Sequence, residues 1–436
     1  MGGSGGAATG ALFSQGFPTT LNSNATRVKV DPNGYVFVAG LLQGKATFGT
    51  TTLNSKNGGD VLLIKLDPDG NVVWAKAFGD GVSTDVVSSM AVGADGRVVL
   101  TGGFSGSIDF GKGPLVSAGG PDMFLVEFDN DGVVQWSSSY GNTGYDQGIA
   151  VDLDSAGNVV LLGVHAGNID FGLGTIAAGP DATLFAAQFD SNGVCSWADG
   201  FGGTGSTLGG AAFKKNGHVV LAGGFRSDVK FGTGPTLKVQ GGGGSADMFV
   251  AELDAMGNHV WSNSYGDQFD QVATSLALTS NDDAIVGGQF GGTMVLTPKQ
   301  TLTANGNQAG FGMRLDAFGT PTWSLAWGGA QTTTNDVAVD ATDAAFFGGQ
   351  YSVSVSFGGA SHPAGTSPWS TYLARLGSGG TELDSRVWDG AVIFGLAVAP
   401  VGDAVLGGAY FQPVNFGQGA LPAPGGSSMF VARVSP

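Results

Sequence analysis

The sequence predicts an all-β ring: a seven-bladed β-propeller of four-stranded antiparallel blades, the last blade closed by strands from both chain ends. Three observations carry this. A unit of about 61 residues repeats along the whole 436-residue chain. Each unit holds four short apolar runs separated by Gly- and Asp-rich turns. The last unit stops one run short, and the N-terminus supplies a run of the missing kind.

Asp85 to Gly144 serves as the template. Its runs are Val86–Val92, Arg97–Phe110, Asp122–Phe128 and Val133–Tyr140, with turns GADG (Gly93–Gly96) and DNDG (Asp129–Gly132) and a longer Gly/Pro segment, Gly111–Pro121. The runs are short and rich in Val, Phe, Leu and Ser, and none sustains a 3.6-residue period, so strands are predicted. Val98, Val99 and Leu100 are apolar in succession, as are Phe124, Leu125 and Val126. A sheet apolar on both faces must lie between other sheets.

The fourth-run tryptophan recurs as Trp74, Trp136, Trp197, Trp261 and Trp323, at spacings of 62, 61, 64 and 62 residues. A Phe-Gly after the second run recurs at Phe48, Phe110, Phe171, Phe231, Phe357 and Phe416, with one copy missing where unit five reads TMVLTPKQT. Unit six is read with Leu383 at the Trp position. Unit seven supplies runs from Val392, Ala404 and Ser428 and ends at Pro436, while ALFSQGF (Ala11–Phe17) matches a fourth strand. Pairing the two ends in one sheet removes an exposed edge. Residues 1–10 are expected to be a flexible Gly/Ser/Ala tail, and 11–436 a single propeller.

The pattern D-x-F-L-x-x-x-D-x-x-G-x-x-x-W…G…G-N-V-x-x-x-G resembles the bacterial β-propeller repeats known as SBBP repeats. The resemblance implies a repeat protein of the secreted or cell-surface class and is silent about ligand. No Gly-His…Trp-Asp pairs recur, so the units are not WD40-like.

Composition narrows the partners. The net charge of −17 and pI near 4.3 disfavour nucleic acid and favour cationic ligands or basic surfaces. No stretch approaches 18 uninterrupted apolar residues, so no membrane insertion is expected. The N-terminus, MGGSGGAATG, has no basic or apolar leader region. Low Lys content and a Gly/Ser/Thr/Asp-rich surface suit a secreted or cell-surface protein whose leader is absent here; a cytoplasmic protein is the alternative. Cys195 is unpaired and falls two residues before Trp197, on the same strand face, so it is read as core. Paired glycines such as Gly102-Gly103 mark close backbone approach or a bulge. A monomer is expected.

The D-x-D-G turns lack the longer ligand series and closing Glu of a calcium loop, so Asx-type turns are the reading. Asp60, Asp122 and Asp247 share one register at the start of the third strand, where other units carry Thr183, Ala309, Ser370 and Ser428. Asp85 and Asp146 share another before the first strand, with Asp270 one residue away. These five aspartates are the candidate metal ligands, with calcium the cofactor they would take; the competing reading has them capping strand ends. A second-strand position reads Leu42, Phe104, His165, Phe225, Phe290, Tyr351 and Tyr410, either a core wedge or a stacking surface for sugars. His165, His218, His259 and His362 show no metal-ligand spacing, and no catalytic set is recognisable. First-to-second and third-to-fourth connections are tight and share one rim. The other two are long and are expected on the opposite rim, including Gly241–Ser245 in unit four. The sequence therefore points to a non-enzymatic scaffold binding a protein, or alternatively a glycan, on its long-loop face. A channel-sited lyase or hydrolase would instead need distinct residues converging on the ring centre, with units five and six the place to look.

Overall fold

The computed structural model describes residues 12–55, 58–80, 83, 85–177, 182–240, 244–306, 308–329, 331–424 and 426–435. The expected tail, 1–10, and Gly241–Gly243 of the unit-four loop lie outside them. Each unit folds as a four-stranded antiparallel meander. The first strands, Asn24–Val30 in blade one and Val86–Val92 in blade two for example, touch one another around a closed circuit and line a central channel. The fourth strand of blade three runs on into the first strand of blade four as one segment, Cys195–Phe213, which joins those two blades in a single sheet.

The ring closes through the N-terminus. Phe13–Phe17 pairs antiparallel with Ser428–Val434 and becomes the fourth strand of blade seven. Second and third strands are buried along their whole length, as in Val98–Phe104 and Asp122–Phe128. Their two faces feed seven apolar clusters, one at each blade junction. Cys195 lies in one of them, and burial pushes its thiol up to about 11.

Every first strand carries an irregularity opposite the second, at Val87/Ser89 in blade two. Gly102 is required there: a Cβ would run into the Val86 carbonyl and the Phe124 ring.

The second-to-third connection corrects the expected division into a tight rim and a free-loop rim. In blades one to six it forms a small hairpin, such as Ser107–Asp109 with Pro114–Val116, and in blade seven a single bridge, Asn415 to Ala420. The hairpin folds down the outer flank of its blade, so Gly49 meets Val72 and Gly111 meets Val134, at the start of the fourth strand. This covers the outermost strand, which would otherwise be a bare edge.

The Phe of the Phe-Gly motif is the reason the hairpin docks. It inserts between blades against the last aromatic of the preceding fourth strand. The pairs are Phe17–Phe48, Phe78–Phe110, Tyr140–Phe171, Phe201–Phe231, Trp327–Phe357 and Trp388–Phe416, with ring centroids 4.6–5.3 Å apart. In blade five Met294 and Leu296 fill the wedge beside Tyr265, so the motif is lost there and its packing role is kept.

The marker tryptophans act on the other rim. Each lies over the turn glycine of the next blade: Trp74 on Gly132, Trp136 on Gly193, Trp197 on Gly257, Trp261 on Gly319 and Trp323 on Gly380. Gly193 has φ +77°, and a Cβ there would sit 2.7 Å from the Trp136 ring, so both backbone and space demand glycine. Strand register corrects the reading of Leu383: the residue paired with Arg375, as Trp74 is with Lys65, is Asp384. Leu383 is exposed. The Trp is lost in the one blade whose neighbour, blade seven, has no third-to-fourth turn to stack on. Phe13 takes the Trp register in blade seven, opposite Arg433, and packs on Gly70.

Closure through Phe13–Phe17 makes a direct prediction. Phe17→Ala should cost about 3–5 kcal/mol, as for any buried core Phe, and Phe201→Ala, at an interior junction, should cost a similar amount. Urea denaturation of both variants checks this. A loss below about 1 kcal/mol for Phe17→Ala would mean that the N-terminal strand does not close the ring.

Candidate functional site

Three regions gather polar side chains. The first is the long-loop rim, where the sequence-predicted aspartates fall at blade boundaries. Asp60 and Asp85 flank Gly79 at the junction of blades one and two. Asp122 sits against Gly141 and Asp247 against Gly266 in the same way. All five candidates are buried. The Asp146 carboxylate accepts from Asn142 N (2.8 Å) and Ala166 N (3.1 Å). Asp122 accepts from Ala118 N at 2.8 Å and Asp247 from Gln240 N at 2.6 Å. One oxygen each of Asp60, Asp122 and Asp247 has no hydrogen-bond partner, and the Asp85 carboxylate is approached only by Ser105 N–H.

Burial raises all five carboxyls above the usual range. Asp85 reaches about 7, with Ser105 N–H opposing the shift and Asp80 and Asp60 adding to it; Asp146 and Asp247 reach about 6. Among the described residues no three His, Cys, Asp or Glu side chains come together as a metal site. The structure thus brings Asp60 and Asp85 together at the junction of blades one and two, and Asp122 and Asp146 in the same way at the junction of blades two and three, where Asp146 N–H bonds Pro121 O; Asp247 stands alone of the five at the junction of blades four and five. Blade five's register position is Gln271, whose N–H bonds Ala246 O as Asp85 N–H bonds Gly59 O.

The turn aspartates face their own backbone. Asp67 Oδ1 accepts from Asp69 N and Asn71 N at 3.0 and 2.8 Å, and Asp129 Oδ1 from Asp131 N and Val133 N at 3.0 and 2.9 Å. These are Asx turns. The second-strand series from Leu42 to Tyr410 is buried throughout, so none of it offers a stacking surface. His165 is part of it. Its Nδ1 faces Gly167 O at 2.6 Å, and burial lowers its pKa.

The second region is the channel, which the sequence reading left without named residues. A cavity of about 320 Å³ is walled by the halves of the first strands that run toward the tight turns, and Arg27, Lys29, Asp152 and Asp336 face it. Desolvation lowers Arg27, with Asp336 opposing, and raises Asp152. Asp336 accepts from Ser275 Oγ (2.6 Å) and Leu396 N (2.8 Å), and Asp152 from Phe213 N (2.8 Å), so these acids tie neighbouring first strands together. Charged residues in otherwise uncharged first strands were the available signal.

The third region is the tight-turn rim. One third-strand position reads Lys65, Glu127, Gln188, Glu252, Arg314, Arg375 and Arg433, all paired with the Trp register. At four junctions a cation bridges to a turn carbonyl of the next blade. Lys65 Nζ donates to Asn130 O (3.2 Å), Lys214 Nζ to Ala317 O (2.7 Å), Arg314 Nη1 to Ser378 O (3.1 Å) and Arg433 Nη1 to Pro68 O (3.1 Å). Lys214 also pairs with Glu252, both side chains only 4% exposed. A period-2 strand pattern hides this position, because a charge inside a continuous apolar run reads as noise.

No family model matches the chain. It is 30% identical over 198 residues to the regulatory protein FlaEY of Caulobacter vibrioides, covering 43% of this chain and 20% of that protein. It is 26% identical over 153 residues to the uncharacterized WD repeat-containing protein L264 of Acanthamoeba polyphaga mimivirus, covering 31% and 11%. The matches thus span a minor part of each relative. Among solved structures it is similar to the Dos1 propeller at 10% identity and TM-score 0.44, over 97% of this chain and 95% of that one. The β-propeller domain of the Trilobed protease from Pyrococcus furiosus is similar at 7% identity and TM-score 0.43, over 89% of both chains.

Two predictions follow from the buried charges. A carboxyl whose folded pKa lies above its unfolded value binds its proton more tightly when folded. Its contribution is therefore fully present below about pH 4 and is lost as pH rises through 6 to 7 for Asp146, Asp247 and Asp85. Differential scanning calorimetry should show Tm falling between pH 5 and pH 8, with Asp85→Asn raising stability at pH 8 by about 1–3 kcal/mol and flattening the fall; an unchanged slope in that variant would refute the assignment. Separately, Lys214→Met strands Glu252 and should cost about 3–5 kcal/mol in chemical denaturation.

Proposed function

We propose that this propeller is a non-enzymatic scaffold that binds a protein partner through its long-loop rim. The observation that carries the reading is a set of exposed aromatics there. Tyr145 (42% exposed) and Phe269 (48%) stand on blade connectors beside Asp146 and Asp270, and Phe411 (38%) follows the second strand of blade seven. Aromatic anchors amid carboxylates suit a partner with a basic, partly apolar surface, in keeping with the net charge of −17. The channel acids bind backbone N–H groups of adjacent blades, which supports a structural use of the channel. No helix among the described residues is long and apolar enough to cross a membrane.

A secreted or cell-surface setting belongs to this proposal and rests on the SBBP resemblance and the low Lys content. The same aromatic–aspartate pairs favour a second reading, a glycan partner, which calcium could assist.

The test is affinity capture from the source organism with three baits: the wild type, a Tyr145→Ser/Phe269→Ser double variant, and Phe318→Ser on the opposite rim. The reading expects a specific protein held by wild type and Phe318→Ser and lost by the double variant. Equal retention by all three would overturn it. Binding on a glycan array, compared with and without calcium, would replace the protein partner with a carbohydrate.

A further inference from the structure

The junction between blades two and three departs from the pattern of the tight-turn rim. Its third-strand residue is Glu127, buried at 4% exposure. The same register in blade four is Glu252, and three donors converge on it. Lys214 Nζ and Trp261 Nε1 meet Oε2, the latter at 2.6 Å, and His218 Nδ1 lies 2.7 Å from Oε1. Blade two has the acid without these donors. The counterpart of Lys214, the residue opening the first turn, is Gly93: Gly93 N–H bonds Arg97 O as Lys214 N–H bonds His218 O. The counterpart of His218 is therefore Arg97, which lines the same notch but binds Asp95 and makes no direct bond to Glu127. Its Nε and Nη2 bind Asp95, each at 2.8 Å, and its Nη1 lies over Gly157 of blade three. The counterpart of Trp261 is Trp136, whose Nε1 is buried without a partner; so is Glu127 Oε2.

Glu127 and Trp136 line a notch of about 590 Å³ together with Asp95, Arg97 and Asp129 of blade two and Ser191 and Asn192 of blade three, the two orphan atoms lying just beneath its wall. Ser191 occupies the place in its turn that Ala317 occupies in blade five, where the Ala317 carbonyl receives Lys214. Burial raises the Glu127 carboxyl, with Arg97 only partly offsetting it, as expected of an acid lacking a direct cation. Leaving a buried carboxylate oxygen unsatisfied is costly, and an ammonium with three donors supplies what the site lacks.

We propose that the notch between blades two and three is a receptor site for a primary ammonium group, held by Glu127 in the place that Lys214 fills between blades four and five. The ammonium can come from a lysine side chain of a partner protein or from a free alkylamine. The site lies on the rim opposite the aromatics Tyr145 and Phe269, so it goes beyond the reading above and stands or falls independently of it.

The test titrates the intact protein with n-butylammonium chloride at constant ionic strength, with n-butanol as control. The readouts are Tm and the indole N–H resonance of Trp136, assigned by its loss in Trp136→Phe. The expected result is a saturable shift of that resonance and a Tm rise of about 2 °C or more, absent with butanol. Glu127→Gln should weaken the affinity at least about tenfold. Gly93→Lys grafts the missing lysine, so it should raise Tm and abolish the response; the side chains of Asp95 and Arg97 must move to admit it. Should that graft fail to fold, Glu127→Gln alone decides. Stronger binding of acetyl-Gly-Lys-Gly-amide than of butylammonium assigns the site to a partner's lysine, and the reverse order assigns it to a free amine. No shift in the wild type, or equal shifts in wild type and Glu127→Gln, overturns the proposal.

Discussion

Burial of both faces of each blade is the constraint on which the structure depends. The second and third strands are apolar at almost every position, so no blade can satisfy its own sheet. Each of the seven clusters belongs to two blades at once. A chain built this way has no stable open form of the same core, because the first and last blades would each expose an apolar face. Phe13–Phe17 is therefore as much a core element as any interior strand: Phe17 joins Phe48 and Met429 in the cluster between blades seven and one. Packing of this kind supplies most of the favourable free energy and none of the specificity for which blade follows which.

Order around the ring is fixed by three directional contacts, all made between blade n and blade n+1. The hairpin aromatic wedges against the preceding fourth strand, the marker Trp covers the next turn glycine, and a buried cation reaches the next turn carbonyl. This explains which parts of the fold were legible in the sequence. Trp74 to Trp323 and the Phe-Gly series recur because most junctions use the same two contacts, so the period exposes the number of blades. The departures are legible only afterwards. Leu296 keeps the wedge without the motif, and the marker Trp is missing from blade six because blade seven has no turn for it to cover. A count of 61 residues from Trp323 lands on Asp384, the register the strand pairing shows; Leu383, one residue earlier, attracts the assignment only because it is apolar.

The candidate site was less legible, for a physical reason. The aspartates at Asp60, Asp85, Asp122, Asp146 and Asp247 stand out by recurrence, and recurrence reports what every junction shares, which is strand-end geometry. What distinguishes one junction from another is the identity of the residue at a shared position, which the period does not report. Arg27, Asp152 and Asp336 interrupt first strands, and Lys65, Glu127 and Glu252 interrupt third strands. A search tuned to the repeat passes over them, and only strand register reveals that Glu127 and Glu252 are the same position in different company.

Placing a carboxylate deep in a junction is tolerable when its partner is covalently part of the same chain, since the ion pair forms on folding and costs no translational entropy. Glu252 has this arrangement with Lys214. Glu127 keeps the acid, the buried indole donor and the adjoining turn, but glycine stands where the lysine would be. A structural ion pair is thereby converted into half of one, and the stability forgone at that junction becomes free energy available to whatever supplies the ammonium. Four other junctions, those of Lys65, Lys214, Arg314 and Arg433, carry a cation bridge, and a junction that holds a buried acid without its cation is where binding can be coupled to the tightness of the ring.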